Sequence, residues 1–312
     1  MKKSPTNFNL LLTFVLLSCV ACTPNFPPST VFRSNPKTAT PAANSPQNIL
    51  EIAIIPSVSS TQQQDKIQLL EDYLNQELNQ TVKIKLTKDY ETGVNLLVTG
   101  QVEVAYLGPL AYIKAKQRNS DLEPIVAHIE KTTGRPWYTS VMVVNRQAGI
   151  NTPADIRGKR FSFVSPSSAS GFLFPSAEFK RLGIMPDRDF SQVQYSGGHD
   201  KNIVALAEGK VDAIAVDKSV YLEAVKQNKL PENQYKMIWE SDPIPNSPFV
   251  ISSTLPLELK TKFQRALINA PEGLVSVGGT TATGYTIVQD EDYEPIRKLQ
   301  AFLLLESPTQ NP

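Results

Sequence analysis

The stretch GKRFSFVSPSSASGFLFPSAEFKRLG, residues 158–183, joins a strand pattern, a serine-rich turn and a helix pattern. Alternating apolar residues in KRFSFVS predict a strand, and the segment from GFLFP onward predicts a helix that ends at Gly183. In open α/β sheets, ligands bind beyond the carboxyl ends of the strands. A helix start there offers unpaired N–H groups, which bind anions without a lysine or arginine. We therefore predict an anion site at Ser168, Ser170 and Gly171, with a simple helix cap as the alternative.

Strand patterns alternate with helix patterns over most of the chain, which predicts parallel βαβ units and an α/β fold. A complete small α/β unit spans about 155–242. Two β-rich segments bounded by prolines, 136–145 and 247–252, flank it, and we expect them to cross between two lobes that hinge around a ligand cleft. The predicted lobe 1 comprises residues 49–137 and 248–312, with C-terminal helices from about 255, and lobe 2 comprises residues 138–247.

The N-terminus predicts a targeting segment. Two lysines precede a short apolar run, so residues 1–18 resemble a signal peptide rather than a transmembrane helix. The motif LLSCVAC resembles a bacterial lipobox, which predicts lipidation of Cys19, or alternatively of Cys22; an ordinary secretory signal is the other interpretation. Residues 19–48 are rich in proline and small polar residues and predict a tether to an extracytoplasmic membrane surface.

The composition excludes several classes of partner. The chain of 312 residues carries 31 basic and 30 acidic residues, a balance that gives no reason to expect nucleic acid or an acidic membrane as a bulk partner. Beyond the N-terminal segment the chain contains no cysteine, which excludes a disulfide there. Since the chain has only two histidines, we expect neither a metal site nor a cofactor.

Two further strand-to-helix junctions carry candidate residues. In YSGGHDKN, residues 195–202, paired glycines allow close backbone approach and His199 falls in the first helical turn. Asp217 follows the next strand, where it is either a helix cap or part of the site. A carboxylate beside a bound oxyanion is repulsive unless the ligand brings a proton or an amine. Sulfate has no proton to give at neutral pH, so an Asp217 that faces the cleft would select a P–OH group or an ammonium.

Four ordered segments together resemble the phosphonate-, phosphite- and phosphate-binding proteins of ABC transporters. They are QVEVAYLGPLAY (101–112), YTSVMVVN (138–145), GKRFSFVSPSSASGFLFP (158–175) and YSGGHDKNIVALAEGKVDAIAV (195–216), and the resemblance spans about 49–305. It implies a type II periplasmic-binding-protein fold whose two lobes close on a phosphorus oxyanion. It also implies a monomer that delivers this ligand to a membrane permease and its ATPase.

The resemblance also implies roles for individual residues. The family's serine-threonine-serine turn falls on Ser168, Ala169 and Ser170, so the middle hydroxyl is missing here. The family's ligand-binding histidine matches His199.

The family's tyrosines match less uniformly. The hinge-side tyrosine matches Tyr138, and a first-lobe tyrosine matches Tyr90, with Tyr106 as the alternative. Aminoalkylphosphonate binders place an acid after the third strand, where this chain has Ser219; the nearest acid is Asp217. This departure favours a small ligand with a P–OH group, such as phosphite, methylphosphonate or phosphate.

Two other functions compete with transport. A ligand-sensing lipoprotein would bind the same ligand but pass it to a signalling partner. An enzyme on the same fold would need a nucleophile paired with a base, and the sequence shows no such pair apart from a serine near His199.

Overall fold

The structure is a computed structural model that describes residues 49–58, 60–274, 277–278 and 282–305. The predicted signal peptide, the two cysteines and the tether lie outside these residues. The strands are β1 (Leu50–Ile54), β2 (Val82–Leu86), β3 (Val104–Tyr106), β4 (Leu122–Glu130), β5 (Trp137–Tyr138), β6 (Ser140–Asn145), β7 (Arg160–Phe163), β8 (Gln192–Tyr195), β9 (Ala213–Asp217), β10 (Tyr235–Glu240), β11 (Ile244–Pro245), β12 (Pro248–Ser252) and β13 (Ala282–Ile287).

The α-helices are α1 (Ser60–Leu78), α2 (Tyr90–Val98), α3 (Pro109–Arg118), α4 (Phe174–Arg181), α5 (Pro186–Asp189), α6 (His199–Ala207), α7 (Lys218–Lys226), α8 (Leu257–Ile268) and α9 (Glu294–Leu304). Local chemistry sets where several of them begin. Asp89 caps α2 by accepting a hydrogen bond from the Thr92 N–H at 2.7 Å, and Pro109 follows Gly108 at the start of α3. None of the helices in these ranges is long and apolar enough to cross a membrane.

Two sheets define two lobes. The lobe 1 sheet has the order β13-β4-β12-β3-β1-β2, with β1 parallel to β2 and β3, and β4, β12 and β13 in antiparallel pairs. The lobe 2 sheet has the order β10-β6-β9-β7-β8, with β7 parallel to β8 and β9. Register pairs such as Ile54 with Leu86 and Tyr106 bring the carboxyl ends of neighbouring parallel strands to one edge. The two-lobed α/β architecture that the sequence predicts is confirmed.

The chain passes between the lobes at the short antiparallel pair of β5 and β11, where Tyr138 lies opposite Ile244. The segment expected to cross at 136–145 is therefore divided between β5 and β6, and the segment at 247–252 forms β12 within the lobe 1 sheet. One apolar cluster includes Leu110 of α3, Phe174 of α4 and Ile296 of α9. Helix α9 thus packs where the two lobes meet.

The sequence patterns missed strands β10 and β13. The second of these interrupts a region in which we expected only helices from about 255 onward. Both are edge strands with a single neighbour, and side chains such as Met237 and Ile287 are exposed. Because burial on an edge strand is partial, its apolar pattern is weak.

Candidate functional site

A small cavity of about 30 Å³ lies between the lobes beside the hinge. Its walls come from lobe 1 (Ile55, Ser57, Tyr90, Tyr106, Gly108, Pro109, His128 and Gly278), from the hinge (Tyr138, Asn246 and Ser247) and from lobe 2 (Ser168, Ala169, His199, Asp217 and Val220). The space is nearly closed in this structure. The structure thus brings together seven of the nine residues that the sequence nominated, and it leaves Ser170 and Gly171 just behind the wall.

Several helix starts converge on the cavity. Helix α2 begins with Tyr90, α3 follows Gly108, the turn into α4 starts at Ser168, α6 begins with His199, and Asp217 caps α7. Each start follows the carboxyl end of a strand. Helix N-termini carry partial positive charge, which stabilises an anion. Among the described residues that line the cavity there is no lysine or arginine.

The serine turn is wound more widely than an α-helix. The Leu173 N–H donates to the Ser168 carbonyl at 3.1 Å, a bond across five residues. Ser168 Oγ accepts from the Gly171 N–H at 2.9 Å, so Ser168 caps the turn and lines the cavity at once. A Cβ added at Gly171 would lie 2.4 Å from Cβ of Val164. Gly171 therefore permits close packing, and its own N–H is used inside the turn.

Ser170 holds an unused hydroxyl next to the cavity wall. The residue is buried, its carbonyl accepts from Ser140 Oγ at 2.6 Å, and its Oγ has no hydrogen-bond partner among the described residues. This hydroxyl lies near the Tyr138 hydroxyl. Burial raises the pKa of Tyr138 well above its usual range, the Asp217 charge adds to this, and Ser170 acts against it. Buried polar groups are normally paired, so Ser170 and Tyr138 are suited to a ligand oxygen.

His199 is held as a neutral donor. The Asp217 backbone N–H donates to His199 Nδ1 at 3.1 Å, which leaves the proton on Nε2. Burial lowers the pKa of His199 to about 4, so the ring carries no charge at neutral pH. Since the ring lines the cavity, its Nε2–H can donate to a ligand without adding charge.

Asp217 is buried on the same wall. Its Oδ1 accepts from the N–H of Ser219 at 2.8 Å and from the Ser219 hydroxyl at 2.7 Å. Burial raises the pKa of Asp217 to about 6, and the hydrogen bonds from Ser219 work against this rise. The Asp217 side chain thus caps α7 and also lines the cavity. Ser219 orients this carboxyl instead of contacting the cavity itself.

Both candidate tyrosines of lobe 1 line the cavity. Burial raises the pKa of Tyr90 and of Tyr106 far above neutrality, so both hydroxyls stay protonated. The Tyr90 hydroxyl lies near Ser168, and the Tyr106 hydroxyl lies 3.2 Å from Nδ1 of His128. Both tyrosines that the sequence offered as alternatives therefore lie at the cavity, and ligand contact by either one stays a prediction.

Sequence reasoning missed several lining residues. Ser57 follows β1 and precedes α1, so the strand-end rule that found Ser168 could also have found it. His128 lies within the apolar run of β4 and looks like core. Asn246 is buried at the hinge, where its Nδ2 donates to the His128 carbonyl at 3.0 Å. These last two positions become neighbours only through the fold.

Hydrogen bonds join the lobes across the cavity mouth. The His199 N–H donates to the Ser57 carbonyl at 2.9 Å. Lys114 of α3 donates to the Pro166 carbonyl at 2.7 Å and to Ser167 Oγ at 3.1 Å. The structure therefore represents a closed cleft.

This architecture, with an enclosed cavity of neutral donors at a hinge between two lobes, defines a solute-binding protein. Within the described ranges no three histidine, cysteine or acidic side chains are grouped so as to hold a metal ion.

Comparison with known proteins identifies the family. Residues 52–293 match the family model described as ABC transporter, phosphonate, periplasmic substrate-binding protein. The chain is 30% identical over 279 residues to the phosphate-import protein PhnD of Mycolicibacterium smegmatis, covering 83% of this chain and 87% of that protein. The chain belongs to the family of periplasmic substrate-binding proteins of ABC phosphonate transporters.

Solved structures agree with this fold. A binding-protein component of an ABC phosphonate transporter from Pseudomonas aeruginosa superposes with a TM-score of 0.73 at 24% identity, covering 82% of this chain and 87% of that one. PhnD1 of Prochlorococcus marinus, solved in complex with methylphosphonate, gives a TM-score of 0.72 at 20% identity, with 82% and 98% covered. The family is one of extracytoplasmic transport proteins and not of enzymes, and membership in it favours transport over the sensing and enzymatic alternatives.

Proposed function

We propose that this protein captures a small phosphorus oxyanion, namely phosphite, methylphosphonate or phosphate, and delivers it to an ABC permease and its ATPase. One observation carries this proposal: several helix starts and a buried carboxyl group line the same cavity between the lobes. The helix starts favour an anion. The carboxyl group of Asp217 favours an anion that still holds a proton.

The donors divide between the lobes and the hinge. From lobe 2, Ser168 and the Nε2–H of His199 would bind oxyanion oxygens, together with backbone N–H groups near Ala169. From the hinge and lobe 1, the hydroxyls of Tyr138 and Tyr90 would complete the cage. Lobe closure is then driven by contacts that exist only when both walls meet the ligand.

Asp217 would set the discrimination against sulfate. Its carboxylate can accept a hydrogen bond from a P–OH group, whereas a fully ionised sulfate would meet only repulsion. The cavity volume of about 30 Å³ favours a ligand with a small substituent on phosphorus. The relative from Mycolicibacterium smegmatis is a phosphate-import protein and PhnD1 of Prochlorococcus marinus was solved with methylphosphonate, which is consistent with this size.

The remaining organisation of the chain is proposed on the sequence patterns. Residues 1–18 would be removed as a signal peptide, Cys19 or alternatively Cys22 would carry the lipid, and residues 19–48 would tether the protein to the membrane. The first lobe boundary would fall at residues 137–138, within β5, and the second at residues 247–248, just after β11. We expect a monomer.

Calorimetric titration of the purified protein tests the proposal. The panel is phosphite, methylphosphonate, aminoethylphosphonate, phosphate and sulfate. We expect micromolar or tighter binding of at least one small phosphorus compound, with no heat from sulfate. Silence across the panel, or binding of sulfate as tight as that of phosphate, would contradict the proposed function.

A further inference from the structure

Three residues of lobe 1 form one continuous part of the cavity wall. Ile55 and Ser57 lie between β1 and α1, Gly278 lies before β13, and all three line the cavity. The Ser57 hydroxyl donates to the Gly278 carbonyl at 2.9 Å, and the Ser57 N–H donates to the Ile55 carbonyl at 3.0 Å. These hydrogen bonds hold the three residues against one another, and we call them the Gly278 wall.

A buried amide fixes the Gly278 wall in place. Gln63 lies in α1, is fully buried and does not line the cavity itself. Its Nε2 donates to the Ile55 carbonyl at 3.0 Å and to the Val277 carbonyl at 2.8 Å. Both hydrogens of the amide group are therefore used, and they join the residue before Gly278 to the residue after β1.

Position 278 has no room for a side chain. A Cβ added at Gly278 would lie 2.6 Å from the hydroxyl oxygen of Tyr106, a buried residue that also lines the cavity. The Tyr106 ring packs against the Phe249 ring with centroids 5.1 Å apart, and its hydroxyl lies 3.2 Å from Nδ1 of His128. The tyrosine is thus held on two sides, and only glycine allows the backbone to approach it so closely.

The Gly278 wall also takes part in closure of the cleft. The His199 N–H donates to the Ser57 carbonyl at 2.9 Å, so one serine connects Gly278 of lobe 1 to the start of α6 in lobe 2. A ligand group that pushed this wall outward would strain the bond to His199 together with the bonds from Gln63. Such a group would therefore oppose the closed form.

We propose that the Gly278 wall limits the size of the group on phosphorus, and that Gln63 is the residue that positions this wall. The inference rests on the proposed function, since it concerns a bound phosphorus oxyanion. The donors described above would hold the ligand oxygens. The remaining substituent, hydrogen in phosphite or methyl in methylphosphonate, would face the Gly278 wall, where the Ser57 hydroxyl is already used in a hydrogen bond.

A wall of this kind gives a sharp size limit. Side chains can adapt to a larger ligand by changing rotamer, whereas backbone that is held by hydrogen bonds yields less easily. One methylene group changes the affinity of an ordinary apolar pocket by about 10- to 200-fold. In the closed cavity we expect ethylphosphonate to bind at least about 100-fold more weakly than the tightest of phosphite, methylphosphonate and phosphate.

Competition titrations with these four compounds test the proposal. The measured quantity is the size ratio, which is the affinity for the tightest small ligand divided by the affinity for ethylphosphonate. Gln63→Met keeps the length of the side chain but removes both hydrogen bonds, so the wall can yield and the size ratio should fall to about 10 or less. Gln64→Met, an exposed neighbour on α1, is the control and should keep the wild-type ratio.

Two further variants test the wall independently of Gln63. Ser57→Ala removes the hydrogen bond to Gly278 and should lower the size ratio by about threefold or more, which keeps the proposal testable if Gln63→Met does not fold. Gly278→Ala should act in the opposite direction and weaken methylphosphonate at least about tenfold more than phosphite. Gly284→Ala is its control, because a Cβ there meets nothing within 4 Å.

The size ratio separates positioning from a purely structural role. A folded Gln63→Met protein that is less stable but keeps the wild-type ratio would overturn the inference and leave the proposed function intact. A wild type that binds ethylphosphonate as tightly as the small ligands would do the same. Failure of the wild type to bind any phosphorus oxyanion would overturn both proposals.

Discussion

The two walls of the cavity are built in different ways. The lobe 2 wall carries its polar side chains at helix starts, namely Ser168 before the turn into α4, His199 at the start of α6 and Asp217 at the cap of α7. The lobe 1 wall is dominated by long side chains, above all Tyr90, Tyr106 and His128. The comparison teaches that lobe 2 contributes its polar groups from helix starts, whereas lobe 1 lines the space with aromatic rings, of which Tyr90 also offers a hydroxyl donor.

We expect the largest effect from Gly171→Ala, which disturbs a closely packed part of lobe 2 beside the cavity. In Gly171→Ala the new Cβ would meet Cβ of Val164 at 2.4 Å, so the turn must move. We expect a loss of about 3 kcal/mol or more in the free energy of unfolding, together with loss of binding. Thermal unfolding and titration measure both.

Gly273→Ala serves as the control, because a Cβ there meets nothing within 4 Å. A Gly171→Ala protein as stable as Gly273→Ala would show that the turn does not depend on this close contact.

We expect the second largest effect from a variant that removes one hydrogen-bond donor from the lobe 2 wall. His199→Ala deletes the Nε2–H and leaves the Asp217 N–H without its acceptor. We expect the fold to persist and the affinity for every phosphorus oxyanion to fall by about 30- to 100-fold, equivalent to about 2 to 3 kcal/mol. Circular dichroism and titration separate the two quantities. Unfolding of the variant, with unchanged affinity in any folded fraction, would identify His199 as purely structural.

The third effect concerns selectivity more than affinity. Asn at position 217 can still cap α7 through its Oδ1, so Asp217→Asn should keep the fold. Without the carboxylate the repulsion of sulfate disappears, and we expect the ratio of phosphate to sulfate affinity to fall by about tenfold or more. Competition titrations measure the ratio. An unchanged ratio would exclude Asp217 from ligand discrimination.

We expect the smallest effect from a variant that weakens the hydrogen bonds between the two lobes. Lys114→Met removes the two hydrogen bonds to Pro166 and Ser167 that join the lobes. We expect the ligand to dissociate about 5- to 10-fold faster with little change in the association rate, since the contact forms only in the closed cleft. Stopped-flow measurements give both rates.

Lys116→Met is the matched control on the same helix, because Lys116 donates to the Ser120 and Leu122 carbonyls within lobe 1. Equal dissociation rates in the two variants would show that the Lys114 contact does not hold the cleft closed.

Local periodicity predicted most of the fold, because parallel strands and their helices leave strong apolar patterns. The strand-end rule then led to Ser168, His199 and Asp217, all of which line the cavity. Edge strand β13 was missed because its burial is partial. His128 was missed because its role depends on a hinge residue more than a hundred positions away, a distance that no local pattern encodes.

The role of Gly171 also lies beyond local sequence reasoning. Its conformation raises no demand for glycine, since φ is not positive there. Glycine is required because Val164, at the end of the neighbouring strand, packs against position 171. This close contact arises only when the turn is wound in its wide form.

The absence of lysine and arginine among the described lining residues has a consequence for delivery. The proposed donors are divided between the lobes: Tyr90, at the start of α2, stays with lobe 1 when the cleft opens, whereas Ser168 and His199 stay with lobe 2. Opening therefore divides the coordination shell into two halves, and no single cation keeps hold of the anion. Opening of the lobes would then release the ligand without a separate displacement of a charged side chain.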